Sequence, residues 1–216
     1  LIPEIVGRLD YWSYGKGRKT NKEFMDNILS SYHGGLLEHC YWGFLITGVS
    51  RSLSHELVRT RTASYSQVSQ RFVDSSNVNY VMPPEIASLP LEDQIELRDE
   101  IVERIRLYKD FAETLEDKLP HRDGESKSDF RKRVRQTARA VLPNATETKI
   151  YVTINARSLR NFFEQRCSRH ADTEMRRLAN LWYDIMQTEA PELFGDYTKL
   201  SLPDGSFELS TEHRKV

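Results

Sequence analysis

Residues 91–119, LEDQIELRDEIVERIRLYKDFAETLEDKL, predict one long helix. Ile95, Ile101, Ile105, Tyr108, Phe111, Leu115 and Leu119 keep roughly helical spacing, and mixed charges fill the other faces. A rod of this length sets one dimension of the fold, and the remaining elements must be arranged around it. Pro83-Pro84 breaks structure ahead of it, and PHRDGES (120–126) reads as a turn behind it. An arginine-rich second helix is expected over 127–142.

The other elements are shorter. Residues 21–32 put Phe24, Ile28 and Leu29 at helical spacing with Asn21 as the expected cap. The aromatic and β-branched run CYWGFLITG (40–48) predicts a strand, followed by a short helix over 50–58. TKIYVTIN (148–155) alternates as a strand does, and helices are expected at about 157–168 and 171–189. Long helices with few strands indicate an α/β (α+β) fold, a modest central sheet flanked by long helices, in a single domain over 1–216.

Composition excludes several classes. Thirty-one basic residues against 32 acidic ones leave a net charge of -1, unlike a protein that coats DNA. Cys40 and Cys167 are too few for a disulfide framework, so a reducing cytoplasm is expected. No apolar stretch approaches the roughly 18 residues of a membrane span. The start, LIPEIVGRLDYWSYGKG, lacks the pattern of a secretory signal, and the missing initiator Met suggests a trimmed or truncated chain.

Chemistry concentrates in RTRTASYSQVSQRF, residues 59–72. Arg59, Arg61 and Arg71 supply planar, permanently charged forks, and the hydroxyls between them supply small adaptable donors, a combination that suits a phosphate. The bland alternative is a solvated basic edge. HGGLLEH brings His33, Glu38 and His39 together as a metal site, a structural turn or a ligand-binding turn. In RKRVRQTAR (131–139) most charges lie on a wet helix face. Arg139 differs, because beside AVLP it is expected near the core with an anionic partner. Asn155, Arg157 and Asn161 open a helix directly after a strand, where free N–H groups favour anions, and Arg166 follows near the adjacent face. Phe162 and Phe163 read as core. Cys167 with His170 makes a poor zinc site, neither cysteine has the neighbours of an activated thiolate, and no metal is expected. No Walker-type loop or GxGxxG fingerprint occurs.

Taken in order, Arg59-Thr60-Arg61 with Ser64, Ser66-Gln67, Ser69 and Arg71 resembles the signature of the flavin-dependent thymidylate synthase family. HGGLLEH upstream, and VLP followed by VTINARSLRNFFEQR downstream, match in the same order and nearly the same spacing. The resemblance implies an α/β subunit in a homotetramer whose active sites draw on several subunits. It implies FAD, a uridylate substrate (dUMP), methylenetetrahydrofolate as carbon donor and NADPH as reductant. The family uses no cysteine nucleophile.

Carried over by position, the resemblance assigns His33, Glu38, Arg59, Thr60, Arg61, Asn155, Arg157 and Asn161 to the flavin. It assigns Glu56, Gln67, Ser69, Gln70, Arg71, Arg139 and Arg166 to the nucleotide. Arg71, Arg139, Ser69 and the Gln70 N–H would clamp the phosphate, and Arg166 would stabilise enolate charge on the uracil. Ser69 is expected to bind and polarise rather than attack. Two positions depart from the family: Thr60 stands where a His is usual, and Glu56 where a Gln is common. Glu56 could accept from ribose hydroxyls, so UMP, as in nucleoside-antibiotic relatives, is the alternative substrate. A catalytically dead scaffold or a nucleic-acid-binding module are the non-enzyme alternatives, although the latter leaves Asn155, Asn161 and the glycine turn unexplained.

Overall fold

In the computed structural model, which describes residues 2–214, the chain opens with helices α1 (Ile2–Asp10) and α2 (Asn21–Ser30). The cap of α2 is Thr20, not the expected Asn21. Thr20 has extended backbone, and its Oγ1 accepts from Glu23 N at 3.2 Å. Asn21 is already helical, and its Nδ2 donates to Glu4 at 2.7 Å. Where α1 passes its neighbours Gly7 allows close approach, since a Cβ there would lie 2.8 Å from the side-chain ends of Leu36 and Phe24 and force them to shift.

Both helices close in the same way. Trp12 N and Ser13 N bond back to the carbonyls of Leu9 (3.2 Å) and Arg8 (2.9 Å). Tyr32 N and His33 N bond back to Leu29 (3.2 Å) and Ile28 (3.0 Å). This is the Schellman closure, which places one residue in left-handed backbone and usually makes it glycine. Here those residues are Trp12 at φ 45° and Tyr32 at φ 57°, each strained by about 1 kcal/mol or more.

A 3-10 turn (Gly34–His39) leads into β1 (Tyr41–Ser50), α3 (Arg51–Leu57) and β2 (Ala63–Gln67). The long helix α4 (Leu91–Lys118) and α5 (Lys127–Ala138) follow, then a 3-10 turn (Arg139–Val141) and β3 (Glu147–Asn155). The chain continues through α6 (Ala156–Arg166), α7 (Thr173–Glu189) and α8 (Pro191–Phe194) to β4 (Thr198–Ser201) and β5 (Phe207–Ser210). The sheet runs β1-β3-β2, and β4 and β5 pair antiparallel apart from it. The mixed helix and sheet class agrees with expectation. The hairpin is an addition, since four-residue strands are too short to show alternation.

Contacts group the chain into two compact units. The first comprises Leu1–Phe44, Leu57–Ser64 and Val152–Val216. Its core is aromatic: Phe44 stacks on Trp182 at 4.7 Å, Phe162 lies 5.1 Å from Trp182, and Phe163 meets Tyr183 and Phe194 edge-on. Phe162 and Phe163 are buried, as their sequence context indicates. Within this core Arg160 is wholly buried, and its guanidinium meets the Asp196 carboxylate at 2.6 and 2.8 Å.

The second unit comprises Leu45–Glu56 and Tyr65–Tyr151. Of the expected apolar series, Ile105 and Tyr108 are buried, Ile101, Leu115 and Leu119 half-buried, and Ile95 and Phe111 exposed. Leu91, Leu97 and Leu107, outside the series, are exposed too. The expected turn after α4 is pinned by charge. Glu125 accepts from Arg133 Nε and Nη2, both at 2.8 Å, and Ser126 caps α5 through Asp129 N at 3.1 Å.

The hydrogen bonds from Arg133 bring the Glu125 pKa down to about 2 from an ordinary 4.5. A depressed carboxyl contributes stability above its unfolded pKa and loses it as pH falls toward the folded one. Lowering the pH from about 5 to about 2.5 is therefore expected to cost wild type more melting temperature than Glu125→Gln. Parallel curves would mean that the pair contributes nothing.

Candidate active site

The residues that the resemblance assigns to the flavin all belong to the first unit. The Schellman end of α2 delivers His33, exposed, with its ring 6.4 Å from that of Tyr11 at the end of α1. Among the three readings of HGGLLEH, the backbone is a 3-10 turn starting at Gly34. Among the described residues no three His, Cys, Asp or Glu side chains converge as metal ligands. Glu38 at the end of this turn reaches across 119 positions of sequence to pair with Arg157 at 2.6 Å.

Arg157 sits in the first turn of α6, where Asn155 is the cap and accepts from Ser158 N at 2.8 Å through its Oδ1. A strand ending in Asn thus runs straight into a helix whose start is closed internally, with the Arg157 guanidinium beside it. Ala156 N bonds Cys40 O at 2.9 Å, and Ser158 N bonds the Asn155 cap. Asn161, one turn further on, is exposed and accepts from Gln165 at 3.1 Å. Arg59, Thr60 and Arg61 form a turn in which Thr60 N bonds Leu57 O at 3.0 Å. Arg59 and Arg61 are exposed, and neither has an ion-pair partner among the described residues. Arg166, half-buried, closes α6.

The remaining nucleotide residues fall in the second unit. Ser69 Oγ accepts from Arg71 N at 3.3 Å, and Phe72 N and Val73 N both bond Ser69 O, so Ser69–Arg71 is a tight turn. Arg71 is half-buried, and its Nε is buried without a hydrogen-bond partner among the described residues.

Arg139 departs from expectation. It is exposed rather than near the core, because the AVLP segment beside it is not core either: Ala140 is exposed, and Val141, Leu142 and Pro143 are only half-buried. It lines a cavity of about 240 Å³ together with Arg51, His55, Gln70 and Asn144, and no carboxylate lines it. Arg51 is the residue the sequence reading missed. Burial, and then the like charge of Arg139, lower its pKa. Two guanidiniums facing one polar cavity without an acid between them make an anion site. The available signal was the i, i+4 spacing of Arg51 and His55 on the short helix before the arginine segment.

Another cavity, about 570 Å³, has a different character. Val68, Val73 and Val78 line it together with the carboxylates Asp74 and Glu147 against the single cation Lys149, so it suits an anion less well than the arginine-lined cavity. Both cysteines are buried, and burial pushes the Cys167 thiol up to about 12, far from an activated nucleophile.

Residues 3–192 match the family model described as thymidylate synthase complementing protein. The chain is 41% identical to the flavin-dependent thymidylate synthase of Mycobacteroides abscessus over 209 residues, 95% of this chain and 82% of that protein. It is 40% identical to the enzyme of the same name from Mycobacterium tuberculosis H37Rv over 217 residues, 97% and 84% of the two chains. Among solved structures, thymidylate synthase X from Helicobacter pylori with FAD and dUMP aligns with a TM-score of 0.63 and 26% identity, over 90% of this chain and 92% of that one. With this match running nearly end to end, and the arginine turn, capped helix and anion cavity all inside it, the chain belongs to the thymidylate synthase complementing protein family.

Proposed function

We propose that the protein is an FAD-dependent enzyme that methylates dUMP at C5 to give dTMP. Methylenetetrahydrofolate supplies the carbon and NADPH the reducing equivalents. The observation that carries this reading is the acid-free cavity holding Arg51 and Arg139, in a chain similar along its length to flavin-dependent thymidylate synthases. FAD, when bound, would supply the redox chemistry that brings reducing equivalents to the transferred carbon. The chain's own residues bind, orient and stabilise charge.

Arg59, Arg61 and Arg157 would form a donor set for the flavin's diphosphate, with His33, Glu38, Thr60, Asn155 and Asn161 beside it. Arg71, Arg139 and the turn at Ser69–Gln70 would hold the nucleotide phosphate, joined by Arg51 and His55. Glu56 and Gln67 would serve the sugar and base. Arg166 would pair with a uracil carbonyl on which negative charge grows during carbon transfer. Ser69 acts as a binding hydroxyl, because its oxygen is already an acceptor within its own turn.

UMP has less support as substrate than dUMP, since the solved neighbour holds dUMP. The family match over residues 3–192 supports one catalytic domain. Assembly as a homotetramer belongs to the same reading, supported by the several apolar side chains left exposed on α4. So does a cytoplasmic setting, supported by two cysteines kept as free, buried thiols.

Protein saturated with FAD should show oxidised-flavin absorbance. It should also turn over dUMP faster than UMP when given methylenetetrahydrofolate and NADPH. Colourless protein that neither binds FAD nor oxidises NADPH would sink the proposal, and faster turnover of UMP would reverse the choice of substrate.

A further inference from the structure

Gln67 stands among the residues expected at the nucleotide, yet its amide nitrogen is engaged inside the protein. Nε2 donates to Ser54 Oγ at 2.8 Å and to Thr148 Oγ1 at 3.1 Å. Both hydroxyls are buried, at 1% and 5% exposure. Ser54 has a single proton, and it goes to the Arg51 carbonyl at 3.0 Å. Its oxygen can therefore only accept from Gln67, which fixes the amide with nitrogen inward. The result is a relay from β3 through β2 to the first turn of α3.

That turn is held from other sides as well. Ser50 Oγ accepts from Leu53 N at 3.0 Å, Arg51 N bonds Thr146 O at 2.9 Å, and Ser52 N bonds Asn144 O at 3.1 Å. Such fixation answers an electrostatic problem. Arg51 and Arg139 face one cavity with no carboxylate to separate them, so in the ligand-free protein they repel each other. An unrestrained α3 would relax away, and an arriving anion would have to draw it back.

We propose that Ser54 and Thr148, acting through the Gln67 amide, are positioning residues for the nucleotide phosphate: they hold α3 so that Arg51 stays beside Arg139 before the anion arrives. The proposal rests on the reading of the protein as a dUMP-binding enzyme. It makes the binding role of Gln67 largely indirect.

The test compares Ser54→Ala and Thr148→Val with Ser54→Thr and Thr148→Ser, which keep the oxygen. Each is assayed for thermal stability, FAD affinity, dUMP and deoxyuridine affinity, and the KM and kcat for dUMP. The first two variants should each weaken dUMP binding by about threefold to tenfold, the scale of one lost buried hydrogen bond. KM should rise with it and kcat at saturation stay unchanged. FAD and deoxyuridine binding should not move, and the oxygen-keeping variants should restore affinity. Unchanged dUMP affinity would overturn the proposal. So would parallel loss of dUMP, deoxyuridine and FAD binding together with stability, or failure of both Ser54→Ala and Thr148→Val to fold, since each marks a fold staple. Wild type that binds neither FAD nor dUMP overturns the functional reading itself. Wild type that binds dUMP no better than the variants overturns the positioning role alone.

Discussion

Arg166→Ala is expected to lower dTMP formation by about a hundredfold to a thousandfold while leaving FAD bound. In the proposed role the guanidinium would meet a developing enolate, so its loss acts on the transition state, where preorganised charge has the largest effect on rate. It is also expected to be selective. Arg166 is the last residue of α6, whereas Asn155 and Arg157 stand at its start. At about 1.5 Å per residue, the two ends of this helix lie roughly 15 Å apart. Flavin absorbance of the loaded variant and the single-turnover rate of dTMP formation separate the two roles. Wild-type turnover would remove Arg166 from the site.

Arg160→Ala should be the most damaging change to stability, at about 3–5 kcal/mol. The Arg160 guanidinium donates to both Asp196 oxygens and to the carbonyls of Leu193 (2.6 Å) and His213 (3.3 Å), and it lies over the Tyr197 ring at 4.7 Å. Burial works against the Asp196 carboxylate, but the bonds and charge of Arg160 outweigh it and hold its pKa below the ordinary value. Without Arg160 that carboxylate keeps, among the described residues, only Thr211 as a side-chain partner. For a chain of this size the loss corresponds to a fall in melting temperature on the order of 6–20 °C. Thermal or urea unfolding measures it, and a change below about 1 kcal/mol would mean the pair is replaceable.

How much of this was legible depended on whether the determinant was local. The long helix, the two main strands and the capped start of α6 follow from periodicity and from Asn155, all within a few residues. Arg160 lies in the same stretch as Asn155 and Arg166, yet nothing near it in sequence signals Asp196, 36 positions away. Arg51 was missed for the same reason, since its significance comes from Arg139 across the cavity. Arg139 shows the opposite error: apolar neighbours in sequence suggested burial, but those neighbours are themselves exposed or only half-buried. On α4 the apolar pattern identified a face correctly, and pattern alone does not say what covers it. Thr20 took the cap from Asn21 because either residue suits the position, and backbone geometry decided between them.

The two helix ends closed by Trp12 and Tyr32 carry a consequence for engineering. Glycine would terminate either helix at lower free energy, by about 1 kcal/mol, because it alone enters left-handed backbone without a steric clash. Neither ring repays that strain through burial, for both are more than half exposed. Helix termination therefore does not account for the aromatic identity of these positions. A thermostabilised variant with glycine at both would gain a sturdier scaffold and lose two solvent-facing aromatic surfaces, one next to His33 in the chain and the other next to Tyr11, whose ring meets it.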